Sequence, residues 1–247
     1  MKRLIVVVLC LMLSACGTPS KEPVKEETKK EEVSIRIDDK KKEYAYSKES
    51  YEQKPNEEFK KNIKDIKLEN IVINIKSEDS KKIQDILDKE YKRMKDESNS
   101  DTVYNLNIKS INENDKYISI VINYNTIKYQ SELNSNSYII LNFNKKDGSL
   151  IDDDTILKDM GLDSNKVKEI VNKDYSSKNI SICKDSPNKC YIDAFDIIYK
   201  NRLPKVFSDV LSNTSSLYIN DNKELAINIL VMESMNYYTN NEVIIKK

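Results

Sequence analysis

Residues 66–94 read IKLENIVINIKSEDSKKIQDILDKEYKRM, and the two halves carry different periods. Through Ile66, Leu68, Ile71, Ile73 and Ile75 apolar side chains alternate with mostly polar neighbours, which predicts a half-buried strand. Asp79 or Ser80 can then cap a helix. Ile83, Ile86, Leu87, Tyr91 and Met94 fall at helical spacing on one face of it, while Lys and Glu cover the other. Three β-rich segments follow, at 102–111, 116–132 and 137–144. Their Ile, Val and Tyr positions repeat with period two, and Asn-rich turns separate them. The simplest pairing is an antiparallel meander with the helix packed across one face.

Further along, Lys146-Asp147-Gly148 is a turn signal, and Leu150-Ile151 resumes extended structure. Asp152-Asp153-Asp154-Thr155 opens a short helix through Met160, closed by Gly161, with acids at the positive end of the dipole. Asp163 or Ser164 caps another helix with Val167, Ile170 and Val171 inward. Phe195, Ile197, Ile198 and Leu203 predict a third short helical piece, and Val206, Phe207, Val210 and Leu211 a fourth. Residues 216–220, the turn Asp221-Asn222-Lys223, residues 224–232 and residues 242–245 read as returning strands. The expected class is α+β: an antiparallel sheet meander with packed helices, a helical insert and C-terminal returning strands.

Several of these stretches carry a family resemblance. Residues 138–144 (YIILNFN), 146–151 (KDGSLI) and 152–157 (DDDTIL) resemble the strand, turn and acidic short helix of an extracytoplasmic domain of unknown function. That domain is found beside peptidoglycan deacetylases and in lysozyme-sensing anti-sigma factors. Leu217-Tyr218-Ile219-Asn220-Asp221 with Glu224-Leu225-Ala226-Ile227 is similar to the family's later hairpin, and Val243-Ile244-Ile245-Lys246 to its closing strand. The likeness runs from about Ile66 to the end. It implies an envelope-facing binding domain, with peptidoglycan or a lysozyme-like protein as partner. The chain departs from the family at residues 127–135, where a Gly-rich aromatic segment is replaced by IKYQSELNS.

The N-terminus gives an address. Met1-Lys2-Arg3 and an apolar run from Leu4 to Leu13 have the form of a secretory signal peptide. That run is about half of the roughly 20 residues a membrane-spanning helix needs. Leu13-Ser14-Ala15-Cys16 resembles the lipobox of bacterial lipoproteins. The resemblance implies cleavage before Cys16, a diacylglycerol on its thiol with palmitate-like chains, and retention at the outer face of the cell membrane. The expected organisation is a signal peptide at 1–15, a lipid-anchored flexible charged tether at 16–55 and an α+β extracytoplasmic domain at 56–247. From Gly17 to Glu32 the chain is mostly Lys, Glu, Pro and Thr, too polar to offset its ordering entropy. Val33-Ser34-Ile35-Arg36-Ile37 alternates like a short strand, and its assignment stays open. Cys183 and Cys190 remain for the folded part, and an oxidising exterior permits a disulfide between them; reduced thiols packed as small hydrophobes are the alternative.

Composition narrows the chemistry. Basic and acidic residues balance at 41 each, without the basic excess of a nucleic-acid binder. With no histidine, Ser-His and Cys-His nucleophile pairs and His-bearing zinc sites are excluded. The 3 glycines leave no room for a phosphate-binding loop. No cofactor is expected. Asp147 and Asp152–Asp154 do not keep the ligand spacing of a calcium loop, and helix capping accounts for them. Tyr44, Tyr46 and Tyr51 suit either strand packing or stacking on sugar. Tyr237 and Tyr238 are candidate ligand-binding residues, with hairpin packing as the alternative. The sequence therefore predicts a non-catalytic surface lipoprotein that binds a cell-envelope component or an extracellular protein. Two alternatives stand beside it: a cell-wall glycan hydrolase working through two carboxylates, and a solute-binding lipoprotein of a transporter.

Overall fold

A computed structural model of the chain describes residues 43–130, 137–178, 216–234 and 237–246. By contacts the chain divides into Met1–Ile35 and Arg36–Lys247, and every described residue belongs to the second unit. Its elements are β1 (Ala45–Tyr51), α1 (Glu57–Asn62), β2 (Leu68–Ile73), α2 (Glu78–Glu97), β3 (Thr102–Glu113), β4 (Tyr117–Lys128), β5 (Ser137–Asn144), α3 (Asp153–Met160), α4 (Ser164–Lys178), β6 (Leu217–Ile219), β7 (Leu225–Ser234) and β8 (Tyr237–Lys246). They build a five-stranded sheet in the order β1-β2-β3-β4-β5 and a three-stranded sheet β6-β7-β8. The fold is α+β.

Helix α2 forms where its apolar period places it. Ser77, two residues before the first of the residues expected to cap it, is the N-cap: its hydroxyl accepts from the Ser80 amide at 3.0 Å, and the Ser80 hydroxyl accepts from the Ser77 amide at 3.2 Å. This reciprocal pair satisfies two donors that a helix start otherwise leaves open. Asp79 is free for a different task and accepts from the Leu150 amide at 3.0 Å. Ile83, Ile86, Leu87, Tyr91 and Met94 are buried against Leu68, Ile71, Leu106, Ile120, Ile122, Ile139, Leu141 and Phe143 of the sheet. Full burial of an Ile, Leu, Met or Phe side chain of this kind contributes roughly 1.5–3 kcal/mol.

The first sheet is mixed: the expected antiparallel meander forms its β3–β5 half, and β2 joins it in the other sense. β3–β4 and β4–β5 are antiparallel as expected, but β2 runs parallel to β3, with Leu68 opposite Leu106. A helix of 20 residues carries the chain about 30 Å back along the sheet, so the strand after it starts at the same end as the strand before it.

The folded region also reaches further toward the N-terminus than residue 56. β1, inside the stretch expected as tether, pairs antiparallel with β2 from Ala45 opposite Ile73 to Tyr51 opposite Leu68. Its sequence signal is faint because Ala45 is buried and Tyr51 half-buried while everything between is exposed; the backbone ladder holds it. A register shift between Ser47 and Glu49, with Lys48 at the irregularity, guards this outer edge against pairing with other chains.

The turn at 145–148 packs against the start of α2. Gly148 has φ +73°, and a Cβ there would lie 2.9 Å from Ile75 Cγ2. Gly161, also left-handed at φ +69°, ends α3, with Leu162 N donating to Leu157 O at 2.8 Å. This is a Schellman stop. Asp152 caps α3 by accepting from Thr155 N at 2.8 Å, and Asp163 accepts from Lys166 N at 2.8 Å at the start of α4. Val167 and Val171 are buried, and Ile170 packs partly, in a second core with Ile156, Leu157, Leu217, Ile219, Ile227, Val243 and Ile245. β8 begins at Tyr237, earlier than the predicted 242, and pairs along β7.

The two sheets meet through side chains. The edge of β6 that faces away from β7 is held by Asn142 Nδ2, which donates to Leu217 O at 2.7 Å, and by Ser119 Oγ, which accepts from Ile219 N at 2.8 Å. Asp153 completes the seam by accepting from Ser216 N at 2.9 Å and Leu217 N at 3.3 Å. The helical pieces predicted over 195–211 lie outside the described residues.

Candidate functional site

Between the end of β1, α1 and the start of β2 lies an open cleft of about 540 Å³, within the size range of small-ligand sites. Val103, Pro55, Ile63 and Ile66 supply its apolar lining; Ser50, Tyr51, Gln53, Lys60, Lys67, Glu52 and Asp65 supply its polar and aromatic groups.

The walls are fixed by local chemistry. Gln53 acts as a surrogate strand residue: its Nε2 donates to Tyr104 O at 2.7 Å and its Oε1 accepts from Tyr104 N at 2.7 Å, with the Ser98 hydroxyl adding a third bond at 3.2 Å. Three residues on, Asn56 N donates to Ser100 O at 2.9 Å, and the Asn56 side chain both caps α1 through Phe59 N at 2.8 Å and reaches Asp101 Oδ1 at 3.0 Å. The segment 52–56 is thereby tied to the α2–β3 turn. On the opposite wall Asp65 sits in the left-handed region at φ 55°, and Lys67 N donates to Asn105 Oδ1 at 3.2 Å. Phe59 packs with Val103 and Ile127 beneath α1, with Ile63 and Ile66 against them. The cleft is therefore preformed.

Its charges are not spent on one another. Among the described residues, none of Lys60, Lys67, Glu52 and Asp65 has an opposite charge within ion-pair distance. Lys67 acts at longer range on Glu69, whose carboxyl is pushed up by burial and drawn partly back by Lys67 and a Ser47 hydrogen bond. Lys95 Nζ stands 5.3 Å from the Tyr51 ring centroid, a cation–π contact that orients the ring beside the cleft.

Behind the cleft, Arg93 joins two carboxylates. Its Nη2 meets Glu90 Oε2 at 2.9 Å and its Nη1 meets Glu97 Oε2 at 2.6 Å, while its guanidinium lies 5.4 Å from the Tyr104 ring centroid. Tyr124 donates to Glu90 at 2.6 Å and Tyr104 to Glu97 at 2.8 Å. The Tyr104 hydroxyl, then Arg93, holds the Glu97 carboxyl below its ordinary range, which is the wrong direction for a proton donor. This network braces Tyr104, the residue that Gln53 grips.

A second meeting of carboxylates occurs at the β6–β7 turn. Asn220 Nδ2 lies 3.2 Å from Glu224 Oε2 and 3.4 Å from Glu242 Oε1, and Tyr218 donates to Glu242 Oε2. Burial, then that bond, pushes the Tyr218 hydroxyl far up.

The residues singled out in the sequence separate as follows. Of the three N-terminal tyrosines, Tyr51 lines the cleft, Tyr44 donates to Glu113 at 2.7 Å and is pushed up to about 12 by burial first, and Tyr46 is exposed on β1. Asp152 acts as a cap and Asp153 as a clamp, and no cluster of three potential metal ligands forms among the described residues. Tyr237 and Tyr238 open β8 opposite Ser234 and Met232; their side chains, like Cys16, Cys183 and Cys190, lie outside the described residues. Gln53, Lys60 and Lys67 were missed, because a lone amide and two lysines in a Lys-rich chain carry no periodic signal. Comparison with protein-family models and with curated proteins returns no match to either.

Proposed function

We propose that this protein is a surface lipoprotein, anchored through acylated Cys16, whose α+β domain binds a cell-envelope component or an extracellular protein without catalysing a reaction. Two acyl chains on one sulfur hold a protein firmly where one chain holds it marginally. Among the described residues no helix is long and apolar enough to cross a membrane, so the reading places attachment on the lipid. The observation that carries it is the union of Leu13-Ser14-Ala15-Cys16 with a rigid open cleft that presents an aromatic ring and free charges. Peptidoglycan and a lysozyme-like protein are the partners that the resemblance implies.

Two measurements test this. Metabolic fatty-acid labelling and the mass of the mature N-terminus should show a diacylated Cys16, and Cys16→Ser should release the protein from membranes. Retention on purified peptidoglycan sacculi or immobilised lysozyme should occur and should weaken in Tyr51→Ala. A cytosolic product with an intact Met1 and no lipid mass refutes the address, and no retention on either matrix refutes the binding role.

The Glu224–Asn220–Glu242 arrangement favours one second reading, a glycan hydrolase working through two carboxylates. Turnover of muropeptides that disappears in Glu242→Gln supports it; absence of turnover by the unaltered protein removes it.

A further inference from the structure

The cleft offers four charged side chains of both signs against three neutral polar ones, Ser50, Tyr51 and Gln53. Its one amide, Gln53, commits both of its polar atoms to the Tyr104 backbone, and the Tyr51 ring already carries Lys95 beside it. A neutral sugar presented to this lining would find the Ser50 and Tyr51 hydroxyls as its remaining uncharged side-chain partners. Lys60 and Lys67 are suited to a carboxylate, and Glu52 and Asp65 to an ammonium group, while Pro55, Ile63, Ile66 and Val103 supply the apolar part of the lining. Charge-assisted hydrogen bonds of this kind are about twice as strong as neutral ones.

We infer that the cleft binds a short zwitterionic peptide, one carrying a free carboxylate and a free ammonium about an apolar side chain. This deepens the binding role proposed above and rests on it: of an envelope polymer, the cleft grips the peptide and not the glycan. Lys60 and Lys67 take the carboxylate end, and Glu52 and Asp65 take the ammonium end. Both interactions are near the surface, so salt weakens them as the screening length falls from about 10 Å at 0.1 M to 3 Å at 1 M.

Calorimetric titration of the whole chain in mild detergent, with three probes, tests this. The first is a tripeptide with free termini and a central leucine, the second is the same peptide acetylated and amidated, and the third is a disaccharide of N-acetylglucosamine. The free tripeptide should bind, the capped one at least about ten-fold more weakly, and the disaccharide more weakly still. Lys60→Glu and Lys67→Glu should each weaken the free tripeptide about ten-fold without moving the thermal unfolding midpoint. Lys60 is exposed, so its reversal tests the site even where the other variant folds poorly. Equal affinity for free and capped peptide overturns the inference, as does tighter binding of the disaccharide or indifference to both reversals. Retention on sacculi that survives both reversals sinks the cleft assignment and spares the envelope-binding role. Tripeptide binding without retention on sacculi or lysozyme does the opposite.

Discussion

Replacing Gln53 with leucine tests the framework of the cleft directly. The side chains are close in volume, so packing changes little while three hydrogen bonds are removed, two of them at 2.7 Å to the Tyr104 backbone. Leaving a buried donor or acceptor unsatisfied costs about 1–3 kcal/mol. The site is only part-buried, so water recovers some of that for Tyr104, and the Ser98 hydroxyl can turn to solvent. The lower half of the range for two groups gives a loss of about 2–4 kcal/mol. Urea unfolding followed by circular dichroism should show the midpoint falling by about 1–2 M at an unchanged slope, for a slope of about 2 kcal/mol per M. Native-state hydrogen exchange should show the Tyr104 amide losing protection while amides in the centre of β4 keep theirs. Gln53→Glu keeps the acceptor and loses the donor, so it should fall between. A loss below about 0.5 kcal/mol in the leucine variant, the range of ordinary surface substitutions, would refute the idea that this amide completes the β3 edge.

Three other outcomes are expected. Asp153→Ala strips the acceptor from Ser216 N and Leu217 N and should destabilise by about 2–4 kcal/mol, read as a lower unfolding midpoint. Gly148→Ala should cost more than Gly161→Ala, since both positions are left-handed but only Gly148 would bring a Cβ to 2.9 Å from Ile75; the second should cost about 1 kcal/mol, and equal losses by calorimetry would contradict the close approach. Acid should weaken the fold. Hydrogen bonds from Tyr104 to Glu97, from Lys145 to Glu113, from Thr155 to Asp152 and from Tyr117 to Asp159 lower those carboxyls in the folded state. Their contribution is present above the unfolded values near 4 and is lost as pH falls through the lowered ones. Glu69, raised by burial, acts in the opposite sense just above its ordinary value, so stability measured from pH 7 to 3 should decline mainly below about pH 4.5.

The fold was legible where a repeating pattern met burial. Ile83, Ile86, Leu87, Tyr91 and Met94 lie on one stripe of α2 because sequence period and core geometry are the same fact there. The strands at 102–144 follow for the same reason. β1 was hidden because its five central residues are all exposed, and an edge strand held by backbone bonds writes little into side chains. The parallel β2–β3 pair was hidden because periodicity reports which face is buried and says nothing of direction. The acids at 152–154 were read correctly as capping for Asp152, but the clamp made by Asp153 depends on a strand more than sixty positions away. The cleft was the least legible part. Tyr51 stood out as an aromatic residue, whereas Gln53 matters only because Tyr104 comes to meet it.

The seam between the sheets has its own consequence. No ladder of main-chain bonds joins β6 to the first sheet; an asparagine and a serine of that sheet hold its edge, and an aspartate at the start of α3 adds a third grip. A ladder is indifferent to residue identity, but a latch of three named side chains can be undone one substitution at a time. Exchanging Asn142, Ser119 or Asp153 should therefore loosen the β6 edge locally, while Val121, Ile140, Tyr218 and Ala226 go on packing the two sheets together.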